Sequence, residues 1–274
     1  MDGMNSLMLN TDGVQIPQLG FGVWQISADE TERAVTTALQ AGYRHIDTAA
    51  AYGNEESVGR AVRASGLPRS KVFVTTKLGN GDHTRAEEAF DESLARLGLD
   101  HVDLFLIHWP VPQQGKYVQA WKAFEKIYRD GRARAIGTSN FTVGTLTRLM
   151  DQTDIIPSIN QIELHPYLQQ REMRAFHEAN GILTEAWSPL GQGKGLLDDP
   201  ALRVLSDKYG KTPAQVVLRW HLQLGNVVIP KSVTPSRIAE NIDVFDFILD
   251  AEDMVAIGAM NRGHRIGPDP DTFG

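Results

Sequence analysis

Eight short apolar, β-rich runs recur along this chain, and a stretch of helical periodicity follows each of them. The runs begin near Gly20, Arg44, Val72, Val102, Ala133, Ser158, Leu183 and Val227. Successive starts lie 24 to 31 residues apart, with one longer gap of 44 before the last, and a single strand-helix unit has that length. Strands that alternate with helices in this way run parallel, each crossover helix carrying the chain back to begin the next strand. Eight units within 274 residues fit a closed barrel of about 250 residues better than an open sheet. The expected fold is therefore α/β, a (β/α)8 TIM barrel. No Pro-, Ser- or charge-rich linker interrupts it, so residues 1–274 read as one domain.

Local signals support the helices. Ala28 to Gln40 places Ala34, Val35, Ala38 and Leu39 on one face and stops at Gly42. A second helix follows Thr84 and runs through Leu97 to a stop at Gly98. Asp199-Pro200 and Thr212-Pro213 each put Pro at a first helical position, and the two helices they open fill the long gap before the eighth strand. Two alternating runs flank Asp12-Gly13, so residues of about 7–16 are expected to form a hairpin added before the barrel. The segment of about 261–274 has four Gly or Pro residues past Gly263 and no periodicity; it reads as a tail, with a barrel mouth as the surface it would cover.

Composition narrows the partners and the chemistry. A net charge of −7 provides no general basic field for nucleic acid or an anionic membrane. The absence of cysteine removes disulfides, thiolate nucleophiles and Cys-based metal sites. His45 and Asp47 form a close His and Asp pair but not an HxH, so no metal is expected. The N-terminus lacks a basic, apolar leader and no run of 18 apolar residues occurs, which reads as a soluble, cytoplasmic protein.

In a barrel of this kind the reactive groups lie at the C-terminal ends of the strands. Those ends carry Asp47 with Tyr52 just beyond, Lys77, and His108. Each has an ordinary structural explanation, as helix cap, loop aromatic, solvated strand end or core histidine. Together they make a proton donor. A phenol titrates near pKa ~10 and donates at neutral pH; a cation such as Lys77 stabilises the tyrosinate left behind. A carboxylate on the neighbouring strand, Asp47, balances that ammonium, and His108 can orient a substrate carbonyl. No GxGxxG fingerprint is present. After the last strand, IPKSVTPSRIAEN sets Lys231 and Ser232 before a helix with Thr234 at its cap and Arg237 in its first turn, a combination that reads either as a phosphate site or as a solvated basic turn.

These motifs resemble the aldo-keto reductases over nearly the whole chain, through GYRHIDTAAAYGNEESVG, VTTKL, DLFLIHWP, GTSNF, NQIELHP and IPKSVTPSRIAEN in the family's order. Within the family the chain is most similar to bacterial 2,5-diketo-D-gluconate reductases. The resemblance implies NADPH-dependent reduction of aldehydes and ketones, dicarbonyls or keto-sugar acids among them, with Asp47, Tyr52, Lys77 and His108 as the catalytic tetrad and Tyr52 as the acid. It implies that Ser139, Asn140 and Gln161 hold the nicotinamide carboxamide and that Trp187 lies under the ring. Ser188, Leu190, Gln192 and Gly193 would follow the pyrophosphate. Lys231, Ser232 and Arg237 would clamp the 2′-phosphate, and Glu240 and Asn241 would meet the adenine.

The substrate, a small carbonyl compound, is expected between Trp24, Trp109 and Phe141. KLGN places Gly79 where many relatives have an aromatic, so one wall is missing, and Phe141 stands where some diketogluconate reductases have His. Two other readings compete. A barrel glycosidase would use Glu163 and Glu185 as its carboxylate pair. A regulatory member of the same family would bind nucleotide without turnover.

Overall fold

The computed structural model describes residues 8–11 and 13–273. All eight expected strands are present: β3 (Phe21–Gly22), β4 (His45–Asp47), β5 (Phe73–Leu78), β6 (Val102–Ile107), β7 (Ala133–Ser139), β8 (Ile159–Glu163), β9 (Leu183–Trp187) and β10 (Val227–Val228). They lie in sequence order in one sheet, and each pairs parallel with the next. The sheet closes on itself where Leu19 bridges Val228. There Gly20 N donates to Val228 O at 2.8 Å and Val228 N donates to Gln18 O at 2.8 Å. The Gln18 side chain ties the same seam by donating to Leu222 O at 2.8 Å and Asn226 O at 3.0 Å.

The hairpin lies where the sequence placed it. β1 (Met8–Thr11) and β2 (Val14–Pro17) pair antiparallel, with Gly13 at φ +77° in the turn; Asp12 and residue 7 fall outside the described residues. Val14 and Ile16 pack against Phe73, Leu104, Ala135, Ile159 and Val227, close to the strand starts. The hairpin thus plugs the N-terminal end of the barrel and leaves the opposite mouth as the open one.

Period-2 alternation then decides what faces inward. Phe73 and Thr75 of β5 point into the barrel, where Thr75 Oγ1 lies 3.0 Å from His45 Nε2, so Lys77 points the same way. By the same parity β4 turns His45 and Asp47 inward, β8 turns Gln161 and Glu163, and β9 turns Glu185 and Trp187. Their outward neighbours, Ile46, Val74, Leu78, Phe105, Ile107, Ile162 and Ala186, join the core between sheet and helices.

Helices α1 (Ala28–Ala41) and α3 (Ala86–Leu97) end at Gly42 and Gly98, with φ of 108° and 61°. The second begins two residues after Thr84, with Arg85 at its N-cap. Both helices of the long gap form, α7 (Pro200–Tyr209) and α8 (Pro213–Gln223), capped by Asp199 and Thr212 side chains as their sequences predict. The remaining helices are α2 (Glu55–Ala64), α4 (Tyr117–Arg129), α5 (Val143–Asp151), α6 (Arg171–Ala179), α9 (Pro235–Ile242) and α10 (Ala251–Gly258). Thr234 stands at the N-cap of α9 without a side-chain bond, and its own N–H donates to Ser232 Oγ at 3.1 Å instead. Among the described residues no helix is long and apolar enough to cross a membrane.

Packing of α2 on α3 is close enough to require a glycine. A Cβ on Gly59 would lie 1.9 Å from the Leu97 carbonyl oxygen, a backbone atom that cannot rotate away. Gly59→Ala is expected to lower stability by ~1–3 kcal/mol, read as an earlier midpoint in urea. An unshifted midpoint would mean that the two helices part without resistance.

Candidate active site

The three strand ends converge. Lys77 Nζ, fully buried, donates to Asp47 Oδ1 at 2.6 Å, to the Thr48 carbonyl at 2.9 Å and to Tyr52 Oη at 3.3 Å. All three ammonium donors are therefore used. A single 3-10 turn over residues 50–52 brings Tyr52 back over the barrel, and Gly53, at φ +67°, lets the chain leave it. The His108 ring meets the Tyr52 ring edge to face at 5.6 Å between centroids. Gln161 Nε2 donates to Asp47 Oδ2 at 2.8 Å, so both oxygens of that carboxylate are held.

The electrostatics follow from burial. Removal from water alone would lower the Lys77 pKa, but the Asp47 carboxylate and Tyr52 outweigh it and hold the ammonium above its usual value. Burial also raises Tyr52 despite the opposing pull of Lys77, so the phenol keeps its proton at neutral pH. His108 is pushed down to about 3 by burial and by the Lys77 charge, which leaves a neutral imidazole beside the hydroxyl.

The positions that the resemblance assigns to a nucleotide ring the same mouth. Trp187 Nε1 donates to Asn140 Oδ1 at 2.8 Å, and Asn140 Nδ2 donates to the His108 carbonyl at 3.0 Å and to Ser139 Oγ at 3.1 Å. Gln192 Nε2 donates to Ser188 Oγ at 2.9 Å, and Leu190 packs on the core. Among the described residues, six non-glycine residues have positive φ, namely Gln25, Val111, Asn140, Gln170, Ser188 and Gln192. Every one lies in a loop that leaves the C-terminal end of a strand, where strained backbone of this kind marks a site. Gly193 has φ +70° in the same loop. Lys231 and Arg237 are exposed and outside every ion pair among the described residues, whereas Glu240 accepts from Thr212 Oγ1 at 2.8 Å and Asn241 is buried.

Of the three expected pocket residues, Trp24 stands at the rim, 43% exposed. Trp109 is covered by Phe273 of the tail at 4.5 Å. Phe141 is a correction: at 1% exposure it belongs to the core between sheet and helices, edge-on to Tyr117 of α4 at 5.3 Å. The wall missing at Gly79 is partly replaced by Asp82, whose Oδ2 lies 2.7 Å from where a Cβ would stand.

The tail crosses the mouth and is fastened by Glu163. This fully buried carboxylate accepts from the N–H groups of Ile266 at 2.7 Å and Gly267 at 2.8 Å, and His165 Nε2 lies 2.8 Å from it. Burial would raise its pKa; His165 and the two N–H groups reverse that and hold it down. Gly267 lies so close to Trp187 that a Cβ would come within 2.4 Å of the ring. The Glu163 to tail contact escaped the sequence reading; its only trace there is the pair Glu163 and His165, two apart at the end of β8 and just beyond it. The glycosidase reading fails on the same geometry. Glu163 is occupied by the tail, and Glu185 is fully enclosed in the barrel, so neither carboxylate reaches a substrate.

The comparisons agree with this geometry. Residues 18–262 match the model of the aldo/keto reductase family. An aldo-keto reductase of Mycolicibacterium smegmatis is 57% identical over 264 residues, 96% of each chain. The methylglyoxal reductase DkgA of Escherichia coli K12 is 54% identical, again over 96% of each. Among solved structures, apo Gox0644 superposes with a TM-score of 0.95 at 46% identity, covering 99% of this chain and 100% of that one, and a Gox0644 mutant has been solved with NADPH. A barrel open at one end, a buried Tyr-Lys-Asp hydrogen-bonded cluster within it and matches that run through both halves leave one conclusion: the chain belongs to the aldo/keto reductase family.

Proposed function

We propose that this protein is an NADPH-dependent reductase of aldehydes and ketones, with small dicarbonyls such as methylglyoxal as its substrate class and Tyr52 as its proton donor. The observation that carries the reading is the Lys77 ammonium, buried between the Asp47 carboxylate and the Tyr52 hydroxyl. The similarity to DkgA supports the dicarbonyl class, and the NADPH complex of Gox0644 supports the cofactor.

The residues at the mouth fit the nucleotide. Trp187 is locked by its N–H and offers a ring face; Ser188 and Gln192 hold a strained loop beside it; Lys231 and Arg237 are cations free to meet a phosphate. When bound, NADPH supplies the hydride. The chain's own residues handle the proton. Neutral His108 orients the carbonyl oxygen toward Tyr52, Tyr52 Oη gives its proton to that oxygen, and Lys77 stabilises the resulting tyrosinate. Asp47, with Gln161 on its second oxygen, keeps the ammonium in place.

Purified protein offered aldehydes, diketones and keto-sugars is expected to oxidise NADPH with a preference of ~10-fold or more over NADH, about 1.4 kcal/mol. Equal use of the two cofactors would remove Lys231 and Arg237 from phosphate recognition. Tight NADPH binding without turnover on any carbonyl would replace the reductase with a nucleotide-binding regulatory protein.

A further inference from the structure

One buried carboxyl beneath the tetrad has no part in the steps above. Glu185 points inward from β9, is fully enclosed, and neither of its oxygens has a hydrogen-bond partner among the described residues. Around it stand His45 and Asp47 from β4, Lys77 from β5, Gln161 from β8 and, above Lys77, Tyr52. Ligand atoms of His45, Asp47 and Glu185 lie within 4.8 Å of one another.

The charges in this space do not balance if Glu185 is ionised. Lys77 is the single ammonium, and its three donors go to Asp47, Thr48 and Tyr52. His45 Nε2 is 3.8 Å from Glu185 Oε1, lies 3.0 Å from Thr75 Oγ1, and is driven by burial down to about 4, so it is neutral. An ionised Glu185 would face the Asp47 carboxylate with only the Gln161 amide nearby, whose N–H is already given to Asp47, a like-charge arrangement that proteins relieve by keeping a proton. A divalent cation is no alternative occupant, because Asp47 already gives both oxygens to Lys77 and Gln161.

We propose that Glu185 is a positioning residue of the active site: held protonated beneath Asp47 and Lys77, it leaves one negative charge rather than two against the ammonium and so keeps Tyr52 an effective acid. Burial and the Asp47 charge push this carboxyl up to about 8, against the pull of Gln161 and Lys77. A charge on Glu185 acts to raise both Tyr52 and Lys77, which weakens proton donation. The inference rests on Tyr52 being the acid proposed above.

The test compares the parent with Glu185→Gln and Glu185→Met, two neutral side chains of similar length. Reduction of methylglyoxal at saturating NADPH is measured from pH 6 to 10, each protein relative to its own rate at pH 7. The parent is expected to lose rate above about pH 8, and both variants to hold theirs, an advantage of ~10-fold or more at pH 9.5. Superimposable profiles for all three proteins would overturn the assignment. A second readout needs no turnover: the side-chain carboxyl 13C resonance that disappears in Glu185→Gln. Titration of that signal above pH 7 supports the proposal even if no carbonyl is reduced, whereas titration below pH 7, which leaves the carboxyl mostly ionised at neutral pH, overturns it whatever the enzyme does.

Discussion

Tyr52→Phe is expected to lower carbonyl reduction by at least about 10²-fold while NADPH affinity stays within a few-fold of the parent. The substitution removes one hydroxyl and nothing else that packs: the ring keeps its edge contact with His108, and Lys77 keeps Asp47 and Thr48. What disappears is the only O–H held against the ammonium among the described residues, so the developing alkoxide has no pre-positioned proton. Single-turnover oxidation of bound NADPH measures the chemical step, and quenching of tryptophan fluorescence by the nucleotide measures binding. Equal rates in variant and parent would take Tyr52 out of the mechanism.

Lys77→Met tests the other half of the pair and affects the fold as well as the chemistry. It removes the counter-ion of the Asp47 carboxylate in a dry barrel and leaves Gln161 as its remaining partner, and breaking a buried pair in this way costs about 3–5 kcal/mol. Reduction should fall together with stability. The double variant Lys77→Met, Asp47→Asn removes both charges and should regain most of the stability with none of the activity, which separates folding from catalysis. An unfolding midpoint for the single variant equivalent to within ~1 kcal/mol of the parent would show that Asp47 finds another counter-charge.

Much of the barrel was legible because it is written in short-range signals. Strand spacing, Pro at the first position of α7 and α8, and Gly after α1 and α3 each depend on neighbours a few residues away. The pairing of Lys77 with Asp47 was legible for a different reason: an inward ammonium needs a counter-ion, and the adjacent strand carried one. Gln161 as a second partner of Asp47 was not, since their contact spans 114 residues and leaves no periodic trace. Separations of 103 and 104 residues likewise hid the hold of Glu163 on Ile266 and Gly267. Phe141 was placed in the pocket because it stands where some diketogluconate reductases have His, while the left-handed turn at Asn140, φ +61°, sends these neighbouring side chains to different environments. Glu185 was visible as a strand-end carboxylate, and only the closed barrel reveals that water cannot reach it.

The seam between Leu19 and Val228 joins segments separated by more than 200 residues, with Gln18 reaching Leu222 and Asn226 across it. Joining such distant segments requires a large loss of chain entropy before any contact at the seam compensates for it, so closure is an intrinsically slow event in folding. The proposed tetrad lies on or just beyond β4, β5 and β6 in the first half of the chain, whereas Trp187, Ser188, Lys231 and Arg237 lie in the second. An open sheet could hold each group at its own strand ends, but not facing the other across a common mouth. The meeting of the two groups across one mouth therefore depends on that seam, and opening it would part them even with every strand end intact.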